Sequence, residues 1–87
     1  MIVEIADRGS AYIRYRASDQ PVSETIEVGG EGSEVMADVN DRNEVIGIEI
    51  VDVHVAESIE QARAFARARG LAFPRDIAAA AKSVSAA

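Results

Sequence analysis

Val45-Ile46-Gly47-Ile48-Glu49-Ile50-Val51-Asp52-Val53 is the stretch whose periodicity decides the fold. With Glu44 ahead of it, it reads as one long β-strand, because β-branched residues recur at every second position and a period of two is the signature of extended chain. Ile46, Ile48 and Ile50 then stack on one face as a core surface, and Val45, Gly47, Glu49 and Val51 fall on the other. A strand this long is expected at the centre of a sheet or with a bend in it.

Toward the N-terminus the same alternation recurs in four shorter runs, residues 2–5, 11–16, 22–28 and 34–40. Asp7-Arg8-Gly9-Ser10, Asp19-Gln20-Pro21, Gly29-Gly30-Glu31-Gly32 and Asp41-Arg42-Asn43 separate them with turn chemistry. In the second run Ala11, Ile13 and Tyr15 share one face and Tyr12, Arg14 and Arg16 the other. In the third, Val22, Ile26 and Val28 share a face with Glu24, opposite Ser23, Thr25 and Glu27.

Toward the C-terminus the period changes to three or four. Ser58 followed by Gln61 reads as a capping box, which starts a helix over 58–70. Ile59, Ala62, Phe65, Ala66 and Arg69 lie along one side of it, Arg63 and Arg67 stand one turn apart on a neighbouring side, and Gly70 follows the last turn. Pro74 suits a first helical position, and Ile77, Ala80, Ala81 and Val84 make the stripe of a second, short helix over 74–84 with a frayed end. The fold expected is therefore α+β: a small, mainly antiparallel sheet of about five strands over 1–55, with one long and one short C-terminal helix packed on one face, in a single domain over 1–87.

The composition narrows the function. The chain has 87 residues, 48% of them hydrophobic and 28% charged, with no Cys, one His and a net charge of -6. A chain of this length buries only about 60% of its unfolded surface, so a deep substrate cavity would compete with the core for the same side chains. An elaborate enzyme is not expected. The absence of Cys excludes disulfides and thiolate metal sites, and one His argues against zinc. No apolar run approaches a membrane span, and the N-terminus lacks the basic flank of a signal peptide; a cytoplasmic, bacterial protein with no membrane contact is expected. Residues 1–55 carry 12 acidic and 4 basic side chains, whereas residues 56–87 carry 3 acidic and 5 basic ones. The acidic body argues against nucleic acid, which needs a basic footprint.

Three stretches together resemble a known bacterial and archaeal family: Ala11-Tyr12-Ile13-Arg14, Val22-Ser23-Glu24-Thr25, and Asp38 through Asn43 leading into Val45-Ile46-Gly47-Ile48-Glu49-Ile50. The family is the one catalogued as domain of unknown function 2283. Its pattern is an acidic loop before Tyr-Ile, an acid-Thr step, and an Asp-rich turn before Gly-Ile-Glu-Ile, and the likeness covers roughly residues 1–53. This chain departs from the pattern at residues 7–10, where the family more often has a longer loop with two acids. The resemblance implies a small sheet packed on a helix, no established activity, and in some relatives a setting reminiscent of toxin and antitoxin pairs.

The run from Asp38 to Glu49 superficially echoes a calcium loop, yet Asn43 stands where the loop needs Gly and Arg42 puts a cation among the ligands, so a polar hairpin turn is expected. Glu49 and Arg14 would pair across strands if their faces coincide. Asp52 and His54 share a face at the end of the long strand; as a metal site they are two ligands only, and a hydrogen-bonded strand-end His is the plainer reading. Arg63, Arg67, Arg69, Arg75 and Lys82 form a solvated face or meet an acidic partner, including the sheet of another subunit. The function expected is a small acidic protein-interaction module, an antitoxin-like partner of a basic protein, itself a homo-oligomer with a dimer favoured. Its interaction candidates are Tyr12, Arg14, Tyr15 and Glu49 on the sheet and Arg63, Phe65 and Arg67 on the helix, with no catalytic residue, metal or cofactor. The alternative is a ligand-binding or catalytic domain using Glu49, Asp52 and His54.

Overall fold

Among the described residues the alternating runs form five strands, β1 (Ile2–Ile5), β2 (Ala11–Arg14), β3 (Glu24–Glu27), β4 (Val35–Val39) and β5 (Val45–Ile50), followed by one helix, α1 (Ala56–Ala68). The computed structural model describes residues 1–6, 9–17 and 19–77. The strands lie in the order β1-β2-β5-β4-β3 and every neighbouring pair is antiparallel. β5, the longest, is central. Together with α1 this makes an α+β fold, with β1 and β3 as the two edges.

One face of the sheet carries the core. Ala11 and Ile13 of β2, Val35, Ala37 and Val39 of β4, and Ile48 and Ile50 of β5 are buried with Ala62 and Ala66 of α1, which packs across β4 and β5. Burying a side chain the size of Ile contributes about 1.5–3 kcal/mol, so this stripe is the main support of the fold. The helix meets the sheet with small residues, Ser58, Ala62 and Ala66.

The facing of β5 differs from expectation at its start. Val39 pairs with Val45 and Asp38 with Gly47, which leaves Ile46 as an extra residue in a β-bulge. A bulge shifts the alternation by one: Val45 joins Ile48 and Ile50 in the core cluster, and Ile46, although buried, stands outside it. The carbonyl of Ile46 instead accepts from the backbone N–H groups of Tyr15 at 2.8 Å and Arg16 at 3.3 Å.

Two helix expectations are corrected. The capping box at Ser58 does not form, because α1 begins two residues earlier with Val55 as its N-cap and no side-chain cap. Ser58 is buried in the helix-sheet interface, and the Gln61 side chain is turned onto the β3–β4 turn, where a β-carbon on Gly29 would lie 3.0 Å from its Nε2. The C-terminus of the helix follows expectation. Gly70 adopts φ +68°, its N–H bonds to the Arg67 carbonyl at 3.1 Å, and the Leu71 N–H reaches back to the Ala66 carbonyl at 2.8 Å, a complete Schellman motif.

Among the described residues there is one helix, not a long and a short one. Residues 71–76 run as irregular chain, tied down by Leu71, Phe73 and the fully buried Ile77, which all pack on the core; residues 78–84 of the expected short helix lie outside the described residues. Among the described residues no helix is long and apolar enough to cross a membrane.

Candidate functional site

The face of the sheet turned away from α1 is the candidate site, and the strand registers define it as two rows of side chains. One row reads Ile2, Arg14, Gly47, Asp38, Thr25 from edge to edge, and the other Glu4, Tyr12, Glu49, Met36, Glu27. Four carboxylates and one guanidinium share this face.

Its centre is a connected set. The Tyr12 hydroxyl donates to Asp38 Oδ2 at 2.9 Å and the Thr25 hydroxyl donates to Asp38 Oδ1 at 2.7 Å, so both carboxylate oxygens are engaged by residues from β2 and β3. The Tyr12 ring crosses β5 to reach Asp38, and it fills the space that a β-carbon at Gly47 would need. Arg14 lies over the same ring, 4.9 Å from its centroid, and pairs with Glu4 at 2.9 Å. Burial, followed by the hydrogen bond to Asp38 and the charge of that carboxylate, raises the Tyr12 phenol well above its ordinary value; it therefore stays a neutral donor throughout the physiological range.

Arg14 and Glu49 share this face but do not pair: Arg14 stands opposite Gly47, and Glu49 stands opposite Tyr12. Glu49 is exposed and has no ion-pair partner among the described residues. Tyr15 is elsewhere. It packs on the core and donates its hydroxyl to the Ala72 carbonyl at 2.6 Å, with burial pushing its phenol up to about 12, so it anchors the chain that follows α1. Phe65 also packs on the core, beneath the guanidinium of Arg69 at 5.0 Å. Arg63 pairs with Glu60 and lies 5.3 Å from the ring centroid of Phe73, whereas Arg67 is exposed. The seven interaction candidates thus separate into a sheet-face set, Tyr12, Arg14 and Glu49, and a helix-side set.

The alternative trio does not share one hollow. Asp52 Oδ1 accepts from the His54 backbone N–H at 2.9 Å and lies 3.0 Å from its Nδ1, which lowers the Asp52 pKa, and the imidazole packs against Gly9. The hollow beside Glu49 is lined by Glu4, Ser10 and Tyr12 among others, with neither Asp52 nor His54. Residues 40–44 form the expected turn. Asn40 Oδ1 accepts from the Arg42 and Glu44 N–H groups at 3.0 and 2.9 Å, its Nδ2 donates to Glu44 Oε1 at 2.9 Å, and Asn43 takes φ +60°. That amide hydrogen bond, with the nearby charges of Arg16 and Arg42, lowers the Glu44 pKa. Among the described residues no group of three or more His, Asp or Glu side chains is placed to hold a metal ion.

Asp38, Thr25, Gly47 and Glu4 are the members of the site that residue-by-residue reading missed. Signals pointed to two of them: an acid inside an otherwise apolar strand, Val35-Met36-Ala37-Asp38-Val39, and a glycine inside the central strand, which marks close approach by another group. Tyr12, Thr25, Asp38 and Gly47 all come from the three stretches that resemble the family, and in the folded chain they meet. The profile of the family described as protein of unknown function (DUF2283) matches residues 7–54, more than half of the chain. The chain belongs to this family. The matched segment runs from the β1–β2 turn to just past β5, so the family unit is β2 to β5, and β1 and α1 flank it. No curated protein and no solved structure matches the chain significantly.

Proposed function

We propose that the protein is a non-enzymatic interaction module that presents the helix-free face of its sheet to a basic protein, in the manner of an antitoxin. The observation that carries this reading is the charge of that face: Glu4, Glu27, Asp38 and Glu49 against Arg14 alone. Complementary charge steers encounter and selects partners. Tyr12 and Thr25 are already held by Asp38, so fixing them on binding costs little further entropy. Co-purification from the source cell followed by native mass spectrometry tests the reading, with Glu49→Lys as the face variant and Glu57→Lys, on the exposed side of α1, as the control. A basic protein retained by the wild type and by Glu57→Lys but lost with Glu49→Lys is the expected result. Equal retention by both variants removes the sheet face from the account.

We also infer that two copies associate through β1. This edge exposes Met1 at 57% and Ile2 at 61%, and its one charge, Glu4, is neutralised by Arg14 on its own sheet. The other edge, β3, carries Glu24 and Glu27, and charged residues on an edge discourage strand addition. Closed two-fold pairing is the commonest way to cover one open edge.

A further inference from the structure

A hollow of about 690 Å³ lies between the second half of α1 and the chain that follows it, lined by Arg63, Arg67 and Arg75 with Leu71, Phe73 and Pro74. Among the described residues no carboxylate lines it. Arg63 is held in place by Glu60 and by the ring of Phe73, a cation–π arrangement that fixes the guanidinium at the rim. Arg69 is turned elsewhere, over Phe65 and onto the Asn43 carbonyl at 3.3 Å. Arg67 and Arg75 have no ion-pair partner among the described residues. This is not for want of acids, since the chain holds 15 Asp and Glu against 9 Lys and Arg.

Arg63 and Arg67 stand one helical turn apart, where like charges repel, and Arg75 adds a third cation to the same hollow. An anion between them would relieve that repulsion. Guanidinium groups stay charged at any physiological pH and offer forked donors that match phosphate oxygens. Arg63 is already paired with Glu60, which leaves Arg67 and Arg75 as two cations without an ion pair among the described residues, and two such groups suit an oxyanion carrying two negative charges. The volume falls within the range of about 300–1,000 Å³ typical of small-ligand sites, and Leu71, Phe73 and Pro74 supply an apolar wall. We propose that this hollow binds a small ligand bearing a phosphate group. It lies on the helix side of the sheet, away from the acidic face, so it is independent of the interaction surface proposed above. A nucleic acid, in contrast, would meet the field of the whole acidic chain along its length.

The test is a titration of the full chain with inorganic pyrophosphate, followed by backbone amide chemical shifts, against sodium chloride at matched ionic strength. Saturable shifts centred on Arg67, Leu71, Phe73 and Arg75 are expected, with affinity reduced about tenfold or more in Arg67→Ala and in Arg75→Ala, as loss of a charge-assisted hydrogen bond implies. Both residues are exposed, so neither variant threatens folding. Arg42→Ala, in the β4–β5 turn, should bind as the wild type does. Shifts that chloride reproduces, absence of saturation, an equal loss in Arg42→Ala, or tighter binding of a glutamate-rich peptide than of pyrophosphate would each overturn the proposal.

Discussion

The ring of Tyr12 occupies the space that a β-carbon at position 47 would take, so Gly47 is required by a side chain on the neighbouring strand and not by its own backbone. Glycines at the turns take positive φ, but Gly47 does not. The close approach lets one tyrosine cross the central strand and reach Asp38 on β4. Gly47→Ala should therefore destabilise the fold by about 1–3 kcal/mol through overpacking. In a double-mutant cycle with Tyr12→Ala the two losses should add to less than their sum, because removing the ring removes the clash. Additive denaturation midpoints would show that the two positions do not communicate.

The bulge at Ile46 makes a second claim open to test. Strict alternation puts Val45 on the same face as Glu49, whereas the structure puts it in the core with Ile48. Val45→Asp and Ile48→Asp should both cost several kcal/mol, since each buries an unpaired charge, and exposed Glu49→Gln should be within about 0.5 kcal/mol of the wild type. A mild Val45→Asp in urea denaturation would place the bulge elsewhere.

Both tyrosines should ionise late. Tyr15 titrates near 12 and Tyr12 higher still, against about 10 in an unfolded chain. A folded pKa above the unfolded one means that the native state holds its proton longer. The stabilisation is then complete below pH ~10 and lost as pH rises through the folded values. Phenolate absorbance should show little ionisation before alkaline unfolding, and Tyr12→Phe with Tyr15→Phe should flatten the alkaline fall in stability. A normal phenolate titration in the intact fold would contradict the burial of both rings.

Chain following α1 is part of the fold. Tyr15 holds Ala72, and Ile77 is 1% exposed among core residues. Truncation after Gly70 should lower the thermal midpoint, and Ile77→Ala alone should cost about 2–5 kcal/mol. An unchanged midpoint in both would show that this segment does not dock on its own chain.

Association through β1 predicts a dimer in sedimentation at micromolar concentration, converted to monomer by Ile2→Lys, which places a charge on the open edge. Glu24→Lys at β3 should leave the mass unchanged. A monomer at every concentration, or equal effects at the two edges, would exclude the β1 contact.

How far the site was legible depended on the range of the interactions that built it. Tyr12, Arg14 and Glu49 could be placed on the polar face because alternation within a strand reports which way a side chain points. Their partners could not, because Asp38 lies 26 residues from Tyr12 and 13 from Thr25, and nothing local records which strands become neighbours. Arg14 and Glu49 pair only if their faces coincide; they do share a face, yet the register sets Arg14 opposite Gly47 and its ion pair is with Glu4. Tyr15 falls on the face of Ala11 and Ile13 by alternation, but its anchoring role could not be read, since its hydroxyl partner at Ala72 is 57 positions away.

The sequence by itself determined the division into five extended runs followed by a helix, the turn at Asp41 to Asn43, the Gly70 terminus and the apolar face of β2. These rest on side-chain period and on turn chemistry, which act over a few residues. Only the tertiary structure decided that the order is β1-β2-β5-β4-β3, that Ile46 bulges, that Ser58 is buried instead of capping, and that Tyr12, Thr25, Asp38 and Gly47 meet. Each of these is a choice of partner between distant segments. It is settled by how registers and volumes fit when the sheet and helix close on one core, and local periodicity carries no record of it.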